Sequence, residues 1–356
     1  MSEQFNQSAA DAFARSGLPT LSSSGVKRSR VQSLHDAVEQ YDMNALRGLV
    51  ITGAPLTEVD DLNCTPLHNA VEPDCPEEAA LEMVKIMLAS SPDEEERIEA
   101  LCARSDEGLT PLHMVVKRGS VKLLDAMLSV IDEEIVEDVL EMKTHLTGSL
   151  FNGSWGKKQA NGQIAELDVE HMTLLHMAFE RLAPKEEGDD DEDPDNPTPP
   201  LSDAEKAETI AMVRQLIERG ADVNARDANS RAPIHQAVEA GLHGMAELLL
   251  NAGADPTLGC KAIGMANNVL HQAVLRGDDQ MAKTIIRCAP HLDVDAEGRT
   301  GLTALCLAAR ANKEACAKAL VEAGADPKFV PSFGKSALDI ARTNNRAGIL
   351  RLFGEE

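Results

Sequence analysis

The sequence predicts an all-α solenoid of stacked helix pairs, and three observations lead to that prediction. A short motif recurs eight times along the 356 residues, and an apolar second block follows it at about the length of one helix. Aromatic residues make up only 3% of the chain, although 43% of it is hydrophobic. A thick globular core normally buries many aromatic side chains, whereas closely stacked helix pairs pack through small and aliphatic ones. The sequence therefore favours a repeat array over one compact domain.

The first block of the repeat predicts a short helix. Its clearest copies have the sequence Thr-Pro-Leu-His and start at Thr65 and Thr110. Thr is a good helix N-cap, and Pro is tolerated at the first helical position because an N–H there has no partner within the helix. The Leu and a following small Ala are expected to face inward. The eight copies lie at residues 33–38, 65–71, 110–116, 173–178, 232–238, 268–274, 303–309 and 336–341.

The second block predicts an amphipathic helix that ends at glycine. It is clearest at residues 247–256, where an apolar run is followed by Gly253, and it recurs at residues 215–224 and 319–327. Glycine can take the left-handed conformation that closes the C-terminus of a helix. One such helix pair is too small to fold alone, so stacking against its neighbours must supply the core.

The two blocks together resemble the ankyrin-repeat family, whose repeat of about 33 residues carries a Thr-Pro-Leu-His-x-Ala signature. The resemblance covers residues 31–354 and implies an ankyrin-repeat solenoid of about eight repeats. Its helix–turn–helix pairs would be joined by β-hairpin fingers, and residues 1–30 would form a disordered tail. It also implies a protein-binding function, with the finger tips and the outward positions of the first helices facing a concave groove.

Three of the repeats exceed the usual period and contain insertions. The first insertion, near residues 73–78 and 91–97, is expected to lengthen turns and add solvated charge. The second, at 131–171, begins with apolar residues at helical spacing and predicts one extra amphipathic helix. The third, at 184–201, is acidic and Pro-rich and is predicted to be a disordered loop. A Ser202-x-x-Glu205 capping box then opens the next helix.

The second and third insertions each leave two interpretations open. After its helix, the second predicts an extended hairpin with Trp155 and Lys157 near its tip. Trp155 is interpreted either as folding back onto the stack or as an exposed anchor for a partner. The acidic loop is either a solvated linker or a docking strip for a basic partner.

The residues expected to contact a partner follow from the implied groove. Helical geometry places the first and fourth residues after the motif His on the exposed face of each first helix. These candidates are Asn69 and Glu72, Met114 and Lys117, Met177 and Glu180, Gln236 and Glu239, and Gln272 and Leu275. Met114 and Met177 could equally belong to the core. The finger-tip candidates are Asp60, Asp61, Asp106, Glu107, Asp227 and Asn229, with Asp295 and Glu297.

The charge is unevenly distributed and favours a basic protein partner. Residues 231–356 contain 14 basic and 14 acidic side chains, so residues 1–230 hold 20 of the 34 basic and 45 of the 59 acidic ones. An excess of this kind disfavours binding to nucleic acid and to anionic membranes. The alternative interpretation is that the acidic side chains provide solubility.

Other features predict an intracellular protein. The N-terminus has no apolar run typical of a secretory signal, and no stretch approaches the roughly 20 apolar residues that span a bilayer. The seven cysteines are odd in number and form no CxxC pair, which favours reduced thiols. We therefore expect a monomeric, cytoplasmic protein without membrane insertion, with the nucleus as the alternative location.

The sequence predicts no enzyme, no cofactor and no metal site. Six of the ten histidines occupy the fourth position of the motif, where each imidazole can bond to the capping hydroxyl and nearby backbone. Cys64 and His68 are four residues apart, but no third catalytic partner is evident. Phosphate-binding, dinucleotide-binding and nucleophile-elbow motifs are absent from the sequence.

Three functional hypotheses remain at this point. The leading one is an adaptor or scaffold that binds a protein through the groove and finger tips. The second is a regulatory, inhibitory or host-directed effector protein that occludes a partner enzyme. The third is an enzyme hidden in the insertions. The resemblance also makes Asn224 a candidate for asparaginyl hydroxylation, because it matches the finger Asn that is modified in other members of the family.

Overall fold

The computed structural model describes residues 31–91, 93–144, 172–182, 201–261 and 267–355. The chain divides into Met1–Gln32 and Ser33–Glu356, and all of the described helices belong to the second unit. The predicted tail at 1–30, the hairpin with Trp155 and Lys157, and the acidic loop up to residue 200 lie outside the described residues.

Eight consecutive helix pairs account for most of the second unit. The pairs are α1 (Leu34–Glu39) with α2 (Met43–Ile51), α3 (Pro66–Ala70) with α4 (Glu77–Ser90), α6 (Pro111–Arg118) with α7 (Val121–Leu128), α9 (Leu174–Leu182) with α10 (Asp203–Glu218), α11 (Pro233–Glu239) with α12 (His243–Asn251), α13 (Val269–Arg276) with α14 (Asp279–Cys288), α15 (Ala304–Ala311) with α16 (Glu314–Glu322), and α17 (Ala337–Thr343) with α18 (Ala347–Leu352). Two further helices, α5 (Glu94–Cys102) and α8 (Glu133–Leu140), lie between pairs. We refer to the pairs as repeats 1 to 8.

The helix ends follow the local signals of the sequence. Pro66 and Pro111 occupy the first turns of α3 and α6, after the caps Thr65 and Thr110. Helix α6 ends at Gly119, which has a φ of 87°. The Ser202 hydroxyl accepts from the Glu205 N–H (3.3 Å) and donates to the Glu205 carboxylate (2.7 Å), so the capping box that opens α10 is present.

The core is formed by stacking between repeats. The first helices pack in an unbroken row from α1 to α17, each against the next. Leu67, Leu112 and Leu270, at the same motif position, are at most 1% exposed. The second helices cover the other side of this row. Each repeat therefore buries its apolar face only in the presence of its neighbours, as expected for a solenoid.

The first insertion contains a helix that the sequence analysis missed. Helix α5 begins after Asp93, whose carboxylate accepts the N–H groups of Glu95 (3.0 Å) and Glu96 (3.4 Å). Only Ala100 and Leu101 of this helix are buried. The expectation of lengthened turns was therefore wrong here, because the run of five charged residues at 93–97 concealed a short apolar face. Helix α8 lies in the interval where an extra helix is predicted, and Val136, Val139 and Leu140 are its buried residues.

Where the structure describes the fingers between repeats, they are tight turns rather than β-hairpins. The only pairing of β type in the described parts of the chain is an isolated antiparallel bridge between Glu297 and Thr303. The expected β-hairpin ladders are therefore corrected to single turns, because each finger is too short to add further pairs. Of the described helices, none combines the length and apolarity needed to cross a bilayer.

Candidate functional site

The motif histidines connect each first helix to the finger of the next repeat. His68 Nδ1 accepts the N–H of Thr65 (3.0 Å) and lies 2.9 Å from the Thr65 hydroxyl. Its Nε2 lies 3.1 Å from the carbonyl of Leu109, at the end of the following finger. A carbonyl can only accept, so Nε2 carries the proton and the ring is neutral. His68 therefore acts as a structural strut, as the sequence predicted.

The same bridge recurs along the array. His176, His235 and His271 place Nε2 at 3.0, 3.0 and 3.3 Å from the carbonyls of Arg231, Leu258 and Leu302 respectively. Burial lowers the pKa of each of these rings. For His113, burial and then the Arg104 charge lower the pKa to about 4. These side chains are held neutral by the fold, which suits a structural role.

The first copy of the motif departs from this pattern. His35 is half-buried, and its Nδ1 lies 3.5 Å from the Asn69 amide nitrogen rather than beside a capping hydroxyl, although its Nε2 bonds to a carbonyl, that of Glu58 (3.1 Å). Ser33 caps α1 instead, with Asp36 completing the capping box. The expectation that His35 binds the cap was wrong because the first helix begins one residue later in the motif.

The backbone of four described fingers is fixed by one repeated hydrogen bond. The N–H of the first finger residue donates to the carbonyl four residues later, in Asp60 to Cys64 (3.0 Å), Ser105 to Leu109 (2.9 Å), Asp227 to Arg231 (3.0 Å) and Gly298 to Leu302 (2.8 Å). The fourth residue is left-handed in every case, at Asn63, Gly108, Ser230 and Gly301. The second and third residues of each finger therefore form its tip.

Asp60 and Asp227 hold fingers together rather than forming their tips. The Asp60 carboxylate accepts the N–H groups of Leu62 (2.8 Å) and Cys64 (2.9 Å). Asp227 accepts the N–H groups of Asn229 (2.9 Å) and Arg231 (2.7 Å) and pairs with the Arg231 guanidinium (2.8 Å). Its side chain is fully buried. The expectation that Asp227 is an exposed tip residue is corrected, because its carboxylate turns inward to satisfy the finger backbone.

The remaining finger candidates do reach the surface. Asp61 and Glu107 are exposed at the tips of their fingers, and Asp106 beside Glu107 is half-buried. Asn229, the third residue of its finger, is also half-buried. The Asp106 N–H donates to the Leu62 carbonyl (3.0 Å), so the first two fingers stack on each other and present their tips side by side.

On the first helices, the two predicted positions differ in exposure. The fourth residue after the motif His is exposed in every predicted repeat, at Glu72, Lys117, Glu180, Glu239 and Leu275. The first residue after it is covered by the neighbouring helix, with Met177 at 8%, Gln236 at 9% and Gln272 at 4% exposure, whereas Asn69 and Met114 are half-buried. Gln272 Nε2 even donates to the His235 carbonyl of the preceding helix (3.4 Å). The expectation that Gln236 and Gln272 are open is therefore corrected, and Met177 is buried, in agreement with its alternative interpretation as a core residue.

Negative charge concentrates around repeats 2 and 3. Burial raises the pKa of Glu72, and the carboxylates of Asp74, Asp60 and Glu39 raise it further. Burial also raises the pKa of the Cys64 thiol to about 11, with further contributions from Asp60, Glu72, Glu107 and Asp106. These shared effects indicate that the acidic side chains of two fingers and one helix act on the same region. We call Asp61, Glu72, Asp106 and Glu107 the acidic surface.

Apolar side chains that the sequence analysis missed lie beside these acids. Val59 and Leu62 of the first described finger are 48% and 62% exposed. In the last finger Phe329, Val330 and Phe333 are 38%, 61% and 49% exposed. Apolar residues at finger positions were a signal in the sequence, but only the stacking of the fingers determines whether such residues are covered.

Asn224 connects the turn that follows α10 of repeat 4 to the turn that follows α12 of repeat 5. Its side-chain oxygen accepts the N–H of Asp255 (2.8 Å), and its amide nitrogen donates to the carbonyl of Gly253 (3.2 Å). Asp295 occupies the equivalent place two repeats later and accepts the N–H of Asp326 (3.2 Å). Modification of Asn224 would require these bonds to open, and hydroxylation there stays a prediction.

No cluster of three or more His, Cys, Asp or Glu with the arrangement of a metal site occurs among the residues that the structure describes. The seven cysteines, all of them described, are free thiols.

Comparisons with known proteins agree with this architecture. The family model described as "Ankyrin repeats (3 copies)" matches residues 170–259 and 270–355. The chain is similar to Protein lin-12 of Caenorhabditis elegans, with 35% identity over 130 residues, which cover 35% of this chain and 9% of that protein. It is also similar to Neurogenic locus notch homolog protein 1 of Xenopus laevis, with 32% identity over 145 residues, which cover 40% of this chain and 6% of that protein.

A third relative is the Nuclear factor NF-kappa-B p105 subunit of Gallus gallus, with 30% identity over 155 residues. The match covers 40% of this chain and 16% of that protein. The similarity to these relatives is thus confined to a small part of their length.

Proposed function

We propose that this chain, which belongs to the ankyrin-repeat family, is an adaptor or scaffold that binds a basic protein partner through its acidic surface. Ankyrin repeats are generally protein–protein interaction modules and are typically non-catalytic. The observation that carries the proposal is the stacking of the first two fingers, in which the Asp106 N–H donates to the Leu62 carbonyl (3.0 Å) and brings Asp61, Asp106 and Glu107 side by side.

Charge is the first reason for a basic partner. Residues 56–75 contain five acidic side chains and neither Lys nor Arg. Burial is the main cause of the raised pKa of Glu72, and the neighbouring carboxylates of Asp74, Asp60 and Glu39 raise this pKa further, so the like charges repel one another. Lys or Arg side chains of a partner would relieve this repulsion, and a complementary field would also speed association.

Exposed apolar groups beside the charges are the second reason. Leu62 lies between the acidic Asp61 and the half-buried Asp106, whose N–H holds the Leu62 carbonyl at 3.0 Å. An apolar side chain on a fixed backbone can anchor a partner without a large loss of conformational entropy. The preferred partner segment would therefore carry basic residues around an apolar one.

The proposal is tested by reversing charge at the finger tips. The double variant Asp61→Lys with Glu107→Lys changes two exposed side chains. We expect it to weaken binding of a fluorescein-labelled peptide of alternating Lys and Leu by tenfold or more, on the order of 1.4 kcal/mol. Fluorescence anisotropy at low salt measures the affinity.

A matched control separates a local surface from general attraction to an acidic protein. Glu208→Lys with Glu218→Lys makes the same change in net charge at exposed positions of α10, away from the fingers. This control should bind the peptide nearly as well as the unmodified chain. Equal weakening in both double variants would contradict the proposal, because it would show non-specific attraction.

A further inference from the structure

The finger before repeat 8 differs from the others in both polarity and charge. Val330 and Phe333 are 61% and 49% exposed, and Lys328 and Lys335 flank them on the same finger. Residues 324–346 contain four basic and two acidic side chains, the reverse of the balance at residues 56–75. We call Arg299, Lys328, Val330, Phe333 and Lys335 the C-terminal finger surface.

The exposed apolar groups stand on a fixed backbone. The Phe333 N–H donates to the Gly301 carbonyl (3.0 Å), and the Ser332 N–H donates to the Glu297 carboxylate (3.0 Å). Within the finger, the Gly334 N–H donates to the Pro331 carbonyl (2.7 Å), and Pro331 itself is buried. The tip is therefore tied to the preceding finger at two points, so the exposure of Phe333 belongs to an ordered turn.

The acidic groups near this finger are occupied by the backbone. Glu297 accepts from Ser332, Asp326 accepts the N–H of Lys328 (2.8 Å), and Asp339 accepts the N–H of Ser336 (3.1 Å). Lys328, Lys335 and Arg299 are exposed, and none of them forms an ion pair with a described residue. Arg299 belongs to the adjacent finger, two residues before the Gly301 carbonyl that Phe333 contacts.

We propose that the C-terminal finger surface is a second docking site, which takes an acidic peptide segment with apolar or aromatic anchors. Carboxylates of the segment would meet Lys328, Lys335 and Arg299, and its anchors would pack on Val330 and Phe333. An aromatic side chain on an ordered turn is a favourable contact point, because little conformational entropy is lost when it is covered. This site has the opposite charge to the acidic surface and does not depend on it.

The two sites together would make the chain bivalent for oppositely charged segments. An acidic segment is disfavoured at the acidic surface and a basic segment is disfavoured at the C-terminal finger surface, because like charges placed together oppose binding. Each site can therefore be measured separately in the same full-length chain.

The test uses a fluorescein-labelled peptide of alternating Glu and Leu with one Phe, titrated with the full chain and followed by anisotropy. We expect Val330→Ser with Phe333→Ser to weaken binding by about tenfold or more, and Lys328→Glu with Lys335→Glu to do the same. All of these side chains are exposed, so the variants should keep the urea midpoint and helical circular dichroism of the unmodified chain.

The matched control is Val59→Ser with Leu62→Ser, which removes equally exposed apolar side chains from the other end of the array. It should leave binding of the acidic peptide unchanged while weakening the Lys–Leu peptide. The inference is overturned if the acidic peptide does not bind, or if the control weakens it as much as the Phe333 variant. The inference is also overturned if the chain does not bind the acidic peptide but associates with itself, and Phe333→Ser abolishes that association. In that case a second copy of the chain would occupy the C-terminal finger surface. If the unmodified chain binds the acidic peptide but not the Lys–Leu peptide, the proposed function of the acidic surface is contradicted and the inference about the C-terminal finger surface is supported.

Discussion

Single polar residues connect neighbouring repeats through hydrogen bonds. His68 joins the cap of α3 to the end of the next finger, and Asn224 joins one second-helix turn to the next. Asp227 satisfies two backbone N–H groups and a guanidinium inside a finger. His68 and Asp227 are buried and Asn224 is half-buried, and all three make hydrogen bonds, which is the condition under which a buried polar group stabilises a fold.

The histidine bridges make stability depend on pH. Burial holds the pKa of His68, His113, His176, His235 and His271 below the ordinary value of about 6.5, to about 4 for His113. The unfolded chain therefore binds more protons in this window. The stabilisation is complete above about pH 6.5 and is lost as the pH falls toward the folded pKa.

We expect the urea midpoint to be lower at about pH 5 than at about pH 7, measured by circular dichroism in about 0.5 M NaCl to screen the acidic self-repulsion. His113→Gln should reduce this pH dependence, although it also lowers stability. His291→Gln, at an exposed position, is the control and should leave the dependence as it is. A midpoint that rises as the pH falls would show that another group dominates.

At the scale of elements, the fingers are short turns that gain order from stacking. Each has one left-handed residue, and the first and last described fingers contact their neighbours through backbone bonds from Asp106 and Phe333. Gly301 is the point of closest approach, because a Cβ built there would lie 3.0 Å from the Phe333 nitrogen and 3.2 Å from the Ser332 Cβ. The glycine thus serves both the left-handed turn and the contact between fingers.

These two roles can be separated with two alanine variants. Gly241 and Gly301 have nearly the same φ, +69° and +64°, but nothing lies within 4 Å of a Cβ at Gly241. Gly241→Ala should therefore cost only the conformational penalty of about 1 kcal/mol. Gly301→Ala should cost clearly more, about 2 kcal/mol, because the finger of repeat 8 must also shift. Urea unfolding measures both, and equal costs would mean that the finger contact adjusts freely.

At the scale of the whole molecule, the stacking of repeats stabilises the fold, whereas repulsion between its like charges destabilises it. The unbroken row of first helices links every repeat to its neighbours. The net charge of -25 lies entirely in residues 1–230, so the N-terminal repeats carry the self-repulsion. Exposed ion pairs such as Lys122–Glu77 (3.2 Å) and Arg287–Glu247 (2.9 Å) contribute little to offset it.

Added salt should therefore stabilise the protein at about pH 7. We expect the urea midpoint to increase between about 0.05 M and about 0.5 M NaCl, because screening weakens repulsion between like charges more than it weakens the few ion pairs. The variant Asp61→Lys with Glu107→Lys should respond less to salt than the unmodified chain. A midpoint that falls with salt would show that attractive pairs, and not repulsion, dominate the electrostatics.

The sequence by itself determined the features that depend on local chemistry. The Thr-Pro starts of α3 and α6, the Gly119 end of α6, the Ser202 capping box and the cap contacts of His68 all follow from residues within one helix or turn. Such signals act over a few residues, so their spacing is enough to establish the repeat and its family.

Only the tertiary structure decided which of these residues are available at the surface. Gln272 and Met177 are covered by a neighbouring first helix, and the Asp227 carboxylate is bonded within its own finger. Phe333 stays exposed because its finger contacts the preceding finger through the backbone N–H groups of Ser332 and Phe333 and not through the Phe333 ring. Exposure depends on contacts between residues of different repeats, tens of positions apart in the chain, and the pattern within one repeat contains no information about those contacts.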